Sequence, residues 1–468
     1  MSFGSFDSDA GHRSVRNFSL PIAVGAALRL ALALFAYVRT GTQVITQGDT
    51  ASYLEPGRNL ILHGIYASNG LTEIDRTPGY PLFMNLTGML FNNAMMSVLC
   101  QIALSLLSLI LVYRIAVRTF HSERIGLNAA WLYATEPISL IYTVRLMPET
   151  LFAVLLLLVI DRLLVYRDSG KILAVAWAGL LLTAATFVRP VSYYLAVPLA
   201  VWLIVTGRTG IEGRWKPAVI LVLTTVPFLA LWQVRNRIET GFSGFSSIVE
   251  KNLYFYQAAE VSAELEHIPL IEQQRKLGYL NESQFLAIHP DLRGASQSQR
   301  LAMMRRSATA ILAENRLLYL KTHFVGVGVV IFTPCAAELL ELIGGYPTDS
   351  TMPHRIVNEG VLRSVLSVVV SHPGISVVMC LFEGWAVILY VLSIIGAAKG
   401  NPDRTCLVVL AGIAIYFLLI SGGAQAIGRY RLPVMPVVCI FAAGGIEVLA
   451  SNRKRGFKWL SPALEVRS

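Results

Sequence analysis

Charge is what this sequence has least of. Only 15% of its 468 residues are Asp, Glu, Lys or Arg, against about 25% in an ordinary soluble domain. Cysteine is sparse as well. Cys100, Cys335, Cys380, Cys406 and Cys439 lie singly and mostly inside apolar blocks. That scatter excludes a metal or redox spacing and leaves them as small packing residues. The chain has no Walker loop, no low-complexity linker, no internal repeat and no inverted pair of broken helices, which argues against a secondary transporter. No cleavable signal peptide is visible; residues 1–17 are polar and the apolar run after them reads as a retained anchor.

What the chain does have is long apolar blocks, with 54% hydrophobic residues and a mean hydropathy of +0.58. One water-soluble core cannot hide that much apolar surface, so the expected fold class is an all-α polytopic membrane protein. The net charge of +10 sits in short loops between the blocks. That is the positive-inside pattern, and no nucleic-acid partner is expected.

His12, Arg13 and Arg16 place a tail, 1–17, in the cytoplasm. Spans are expected near 18–38, 94–117, 127–144, 147–165, 172–188, 190–205, 217–234, 375–398, 406–426 and 434–449, about ten in all. Residues 18–234 then form an N-terminal transmembrane module whose first external loop is 39–93, with an interfacial helix near 53–63. Residues 235–374 form an external helical subdomain, 375–450 the C-terminal transmembrane helices, and 451–468 a cytoplasmic basic tail. The stretch 317–334 is apolar enough to cross. An additional crossing would carry Arg453-Lys454-Arg455 outside, so it is expected to lie at the interface or re-enter. Arg29, inside the first span, is expected to snorkel or to pair with a neighbouring helix.

Two polar stretches follow the first span, Gly48-Asp49-Thr50-Ala51-Ser52-Tyr53 and Asp75-Arg76-Thr77-Pro78-Gly79-Tyr80-Pro81. On this topology one face collects Asp49, Asp75, Arg76, Arg145, Glu149, Arg189, Arg235, Arg429 and Arg431. Arginines hold phosphate in bidentate fashion, and a carboxylate can take a proton from an attacking hydroxyl. Singly, each has an ordinary explanation: arginines at span ends meet lipid headgroups and external carboxylates are solvated. The ordered set is more specific than its members.

That set resembles the bacterial branch of the GT-C glycosyltransferases, in the protein O-mannosyltransferase and lipid A aminoarabinose transferase superfamily (glycosyltransferase family 39-like). The matching pieces run in family order: Asp49 to Tyr53, Arg58-Asn59-Leu60, Gly64-Ile65-Tyr66, Arg76 to Pro81, Met147-Pro148-Glu149, Arg189-Pro190, Arg235-Asn236 with Gly241, Asn252-Leu253, and Arg429 to Pro436. The resemblance implies a GT-C fold in a bacterial inner membrane. It implies transfer of a monosaccharide from a polyprenyl-phosphate donor to a hydroxyl of an envelope glycolipid, lipid A or glycan on the periplasmic side. It also implies that Asp49 is the catalytic carboxylate of the first loop and Glu149 the second acidic position. Many relatives carry a further acid after the first; here it is Thr50.

The mechanism expected is inverting. Arg76 holds the donor phosphate with Arg429, Arg431 and Tyr80, and Tyr53, Asp75, Arg145, Arg189 and Arg235 are further site candidates. No cofactor is required when arginines stabilise the leaving phosphate. The alternative is a divalent cation at Asp75 with one of His63, His267, His323, His354 or His372. Competing functions are a lipid-linked sugar transporter or flippase, a non-catalytic scaffold, and an O-antigen-type polymerase or ligase.

Overall fold

The computed structural model describes residues 8–46, 48–207, 211–333, 335–344 and 373–458. The start of the tail, most of the 336–374 loop with His354 and His372, and the end of the basic tail lie outside the described residues. The architecture is helical, with one two-stranded hairpin, β1 (Ala67–Ser68) and β2 (Leu71–Thr72), in antiparallel register among the described residues. The chain is thus a multi-pass helical membrane protein.

Helix α1 (Ser8–Thr40) starts well before Phe18, so part of the expected tail is helix. The loop 39–93, expected to be external, holds α2 (Thr50–His63), the hairpin and α3 (Gly79–Thr87). Then come α4 (Ala94–Phe120), α5 (Glu123–Ala134), α6 (Pro137–Val144), α7 (Glu149–Ser169), α8 (Ile172–Val188), α9 (Ala196–Thr206), α10 (Ile211–Leu223) and α11 (Val226–Thr240). A short helix α12 (Ile248–Asn252) runs into a π-helical turn, Leu253–Ala258, and on through α13 (Ala259–Glu266), α14 (Leu270–Lys276), α15 (Glu282–Ile288) and α16 (Gln297–Glu314). The chain closes with α17 (Arg316–Phe332), α18 (Ala336–Leu342), α19 (Pro373–Lys399), α20 (Arg404–Ile420) and α21 (Met435–Lys458).

The count of ten spans is not reached by length and apolarity. Among the described residues five helices qualify, Phe18–Thr40, Ala94–Phe120, Gly213–Thr240, Ser376–Lys399 and Met435–Asn452. A sixth forms if Arg316–Phe332 and Ala336–Leu342 are one span, and that pair is bent by 52°, as a broken or re-entrant segment would be. Several other expected spans are short: Ile172–Val188, Pro190–Thr206 and Arg404–Ile420. The expected span 127–144 is broken outright between α5 and α6. Pro137 has no N–H to continue the helix and forces Glu136 out of helical geometry, at ψ 117°.

Arg29 explains how that break is tolerated in a buried, apolar setting. It is 0% exposed. Its guanidinium donates to the Ser105 hydroxyl at 2.7 Å, to the carbonyls of Gly25 and Ala134 at 3.1 Å each, and to the Ser139 hydroxyl at 3.3 Å. Glu136 caps the other side, accepting from the N–H groups of Ile138 and Ser139. Backbone groups freed by the kink are therefore satisfied by protein, as lipid surroundings require. Arg29→Ala is expected to cost about 3 kcal/mol by leaving buried acceptors unpaired, read as a lower melting temperature in detergent.

At the end expected in the cytoplasm, fully buried Asp161 meets Arg118 at 2.6 Å and Arg114 at 3.4 Å, while Arg167 meets Asp403 at 2.8 Å. These pairs tie α4, α7 and α20 together. Helices α19 and α21 approach through glycine: a Cβ on Gly396 would fall 1.8 Å from the Phe441 carbonyl oxygen, and one on Gly445 2.1 Å from that of Leu392. The helices between α11 and α17 have a core of their own, built on Tyr254, Phe255, Val261, Phe285, Leu301 and Met304, into which Ile74 of the first loop inserts.

Candidate active site

The start of α2 is tied to the residues before α7. The Leu146 N–H donates to the Ile45 carbonyl at 2.9 Å, and the Thr50 hydroxyl donates to the Leu146 carbonyl at 2.9 Å. Asp49 therefore stands beside Glu149. It occupies the N-cap position of α2 but makes no capping bond with its side chain, so its carboxylate is free for other partners. Arg76 and Arg189 are brought in by Gly79. A Cβ there would lie 2.6 Å from the Phe187 carbonyl oxygen, so only glycine lets α3 sit against the end of α8. A second close approach, at Gly57 against Pro81, packs α2 on α3.

The result is a cluster of three guanidinium groups and two carboxylates. Arg76 donates to Asp49 Oδ1 at 3.1 Å, and Arg429 donates to Asp49 Oδ2 at 2.8 Å from 380 residues along the chain. Arg189 donates to Glu149 Oε1 at 2.8 Å, and Arg429 Nε lies 3.7 Å from the same oxygen. Tyr53 accepts a hydrogen bond from Arg76 at 3.2 Å and lies under its guanidinium, 4.7 Å from ring centre to carbon. Tyr430 lies 5.5 Å from the guanidinium carbons of both Arg189 and Arg429.

Two features give this cluster chemical meaning. Cations outnumber carboxylates by one, and both Arg429 Nε and Glu149 Oε2 are buried without a hydrogen-bond partner among the described residues, so an anion finds an excess of positive charge and an unused donor. Accessibility then separates the two acids: the Asp49 side chain is 34% exposed and that of Glu149 1%. Burial pushes the Asp49 carboxyl up, but Arg76 and then Arg429 outweigh it and hold it below the usual carboxylate range.

Of the residues read from the sequence, Asp49, Tyr53, Arg76, Glu149, Arg189 and Arg429 come together. Tyr80 meets the cluster with the edge of its ring, 5.2 Å from that of Tyr53, and not with its hydroxyl. It is fully buried, and its hydroxyl donates at 3.0 Å to Gln101, whose amide holds the carbonyls of Thr143 and Arg145. Arg431 turns away to the Ile331 carbonyl and to Glu383 at 3.9 Å. Arg145 holds Glu341 and the Glu338 carbonyl. Arg235 braces the hairpin, donating to the carbonyls of Glu73 at 2.8 Å and Tyr66 at 2.9 Å while stacking on Trp232.

Asp75 does not fit a metal centre. Its carboxylate is taken by the Lys251 ammonium and the Ser247 hydroxyl, and no group of three or more His, Cys, Asp or Glu residues is placed to hold an ion among the described residues. His323 Nε2 is spent on the Leu419 carbonyl at 2.9 Å. Lys251, Ser247 and Tyr430 were the partners the sequence reading missed; only Tyr430, between two named arginines, carried a local signal.

Residues 75–232, about a third of the chain, match the family described as dolichyl-phosphate-mannose-protein mannosyltransferase. The resemblance to the protein O-mannosyltransferase type of GT-C glycosyltransferase is borne out there. The matched segment contains Arg76, Glu149 and Arg189; Asp49 and Arg429 lie on either side of it. No curated protein matches. Among solved structures, the chain is similar to the archaeal oligosaccharyltransferase AglB from Archaeoglobus fulgidus, in complex with an inhibitory peptide and a dolichol-phosphate, at 13% identity and a TM-score of 0.48. That match covers 95% of this chain and 52% of AglB, so the chain spans about half of AglB's length. It is also similar to ArnT from Cupriavidus metallidurans bound to undecaprenyl phosphate, at 15% identity and a TM-score of 0.39, over 91% of this chain and 78% of that one.

Proposed function

We propose that this protein is an integral-membrane glycosyltransferase that moves a monosaccharide from a polyprenyl-phosphate donor to a hydroxyl of an envelope glycolipid, lipid A or glycan on the periplasmic side of a bacterial inner membrane. The observation that carries the proposal is one reachable carboxylate, Asp49, shared between Arg76 and Arg429 from opposite ends of the chain. A stability device would not spend two guanidinium groups on a carboxyl group left one-third exposed.

In the free protein the arginines neutralise Asp49. An arriving donor phosphate offers them a second anion, and each guanidinium that turns to it releases the carboxylate. Asp49 thereby becomes more basic when the substrate is in place. The acceptor hydroxyl attacks the anomeric carbon, its proton passes to Asp49, and the bond from that carbon to the phosphate oxygen breaks. The products are the glycosylated acceptor and a polyprenyl phosphate monoester, whose charge Arg76 and Arg429 stabilise. Glu149, too buried to touch an acceptor, holds Arg189 and Arg429 in place.

The experiment is a proteoliposome assay with undecaprenyl-phosphate sugars and extracted envelope glycolipids, read by mass spectrometry. Sugar on the glycolipid and free undecaprenyl phosphate are the expected products; an intact donor across a panel of sugars would contradict the proposal. The transporter reading is less well supported. Arg29 and Asp161, charges within the expected spans, are fixed by structural partners rather than arrayed along a path.

The acid side of the pH profile is a second test. Asp49 is held below its ordinary value, so its base form is present above the unfolded value, about pH 4, and is lost only as pH falls through the lower folded value. For the free enzyme kcat/KM should show no acid limb from Asp49 between about pH 5 and 8. A limb near pH 6 that disappears in Asp49→Asn would contradict this.

A further inference from the structure

The helices between α11 and α17 meet the loop that precedes Arg429 at the π-helical turn Leu253–Ala258. Such wide turns insert an extra residue into a helix and are often found where function needs a side chain re-aimed. Gln257 of this turn donates from its amide to Gln425 Oε1 at 2.7 Å and to the Gly422 carbonyl at 3.4 Å. Gly423 makes the fit close: a Cβ there would lie 2.2 Å from the Gln257 side chain. The loop so clamped leads within a few residues into the turn Gly428–Arg431, which carries Arg429 and Tyr430.

The residue before Gln257 is Tyr256. Its ring meets that of Tyr279 edge-on at 5.5 Å and 81°, and the two hydroxyls are hydrogen bonded. Tyr256 is half-buried, while Tyr279 is 39% exposed. Burial pushes the Tyr256 hydroxyl up, followed by Tyr279, with Tyr430 and Asp49 adding their fields. The clamp holds Tyr256 next to the loop that leads into Arg429 and Tyr430. The pair borders the core around Tyr254 and Phe255, with the Tyr279 ring 5.4 Å from that of Phe255, and its two hydroxyls are turned to each other. Two amphipathic rings with a shared polar edge, beside a group that binds phosphate, suit a ring with one apolar face and a rim of hydroxyls.

We propose that Tyr256 and Tyr279 form the platform on which the sugar ring of the lipid-phosphate donor stacks. The proposal rests on the glycosyltransferase reading of the same site and adds the residues that recognise the transferred group, as distinct from its phosphate. Stacking needs the ring of Tyr256 more than its hydroxyl, so Tyr256→Phe should retain what Tyr256→Leu loses.

The test compares binding of undecaprenyl phosphate with that of undecaprenyl phosphate carrying mannose or an aminopentose, by the parent protein and by Tyr256→Leu, Tyr256→Phe and Tyr279→Leu in detergent. The parent should bind the sugar-loaded carrier about tenfold more tightly than the bare carrier, the order expected of a stacked ring. Tyr256→Leu should bring the ratio to about one while leaving affinity for the bare carrier unchanged, and Tyr256→Phe should keep the parental ratio. Tyr279→Leu, at the exposed edge where folding is least at risk, should lower the ratio part-way. A parental ratio retained in both leucine variants would overturn the platform. A parent that binds the bare carrier but shows no preference for either loaded one would overturn it too, with the phosphate site intact. A parent that binds none of the three lipids would overturn the glycosyltransferase reading, and the platform with it.

Discussion

Asp49→Asn is expected to bind the lipid-phosphate donor at least as tightly as the parent and to transfer its sugar about a thousandfold more slowly, the range lost with a general base. The two effects have opposite signs for one reason. In the parent the carboxylate competes with the donor phosphate for Arg76 and Arg429, at 3.1 and 2.8 Å. The amide is nearly isosteric and carries no charge, so it releases both guanidinium groups to the phosphate while removing the only exposed proton acceptor of the cluster. A variant that loses donor affinity and turnover together would instead make Asp49 a structural anchor for the arginines. Equilibrium binding of undecaprenyl phosphate, measured beside turnover, separates the two.

Arg429→Ala should have the largest effect on binding. This guanidinium bridges Asp49 and Glu149, and it is the member that keeps a buried, unused donor. Its removal leaves fully buried Glu149 with Arg189 as its charge partner. It also takes away one of the two arginines meant for the phosphate. Loss of one member of a desolvated charge pair costs about 2–5 kcal/mol, which corresponds to a donor affinity weaker by roughly 30- to 4,000-fold. Arg429→Lys should rescue little, because a point charge cannot span two carboxylates in a fork. Arg76→Ala should weaken donor binding less, since Arg76 contacts one carboxylate rather than two. An Arg429→Ala protein with parental affinity would place the phosphate elsewhere.

How much of this was legible in the sequence depends on how local each cause was. The long apolar runs gave α1, α4, α19 and α21 close to their observed places, because twenty apolar residues leave few alternatives. The division of 127–144 into α5 and α6 was signalled by Pro137 and hidden by the apolarity around it; what makes the break tolerable, Arg29 on the Ala134 carbonyl, is a contact from 105 residues away. The motif residues Asp49, Arg76, Glu149, Arg189 and Arg429 could be named in advance. Their neighbours could not be sorted. Arg429 and Arg431 share a turn of about three residues per repeat, which sends positions two apart to different sides, so only the first meets Asp49. Asp75 and Arg76 diverge because Lys251 and Ser247, more than 170 residues on, take the acid. Tyr80 belongs to a motif that looks exposed, yet its hydroxyl is spent on Gln101 inside the bundle. In each case the sequence indicated the residue type and a distant partner decided the direction.

The most direct measurement is the configuration of the sugar as it leaves the donor, followed by proton NMR when water stands in for the acceptor hydroxyl. A single displacement with Asp49 as base delivers first the anomer opposite to that in the donor, with mutarotation only afterwards. A first-formed sugar that keeps the donor's configuration would show that Asp49 does not act as the base of a single displacement.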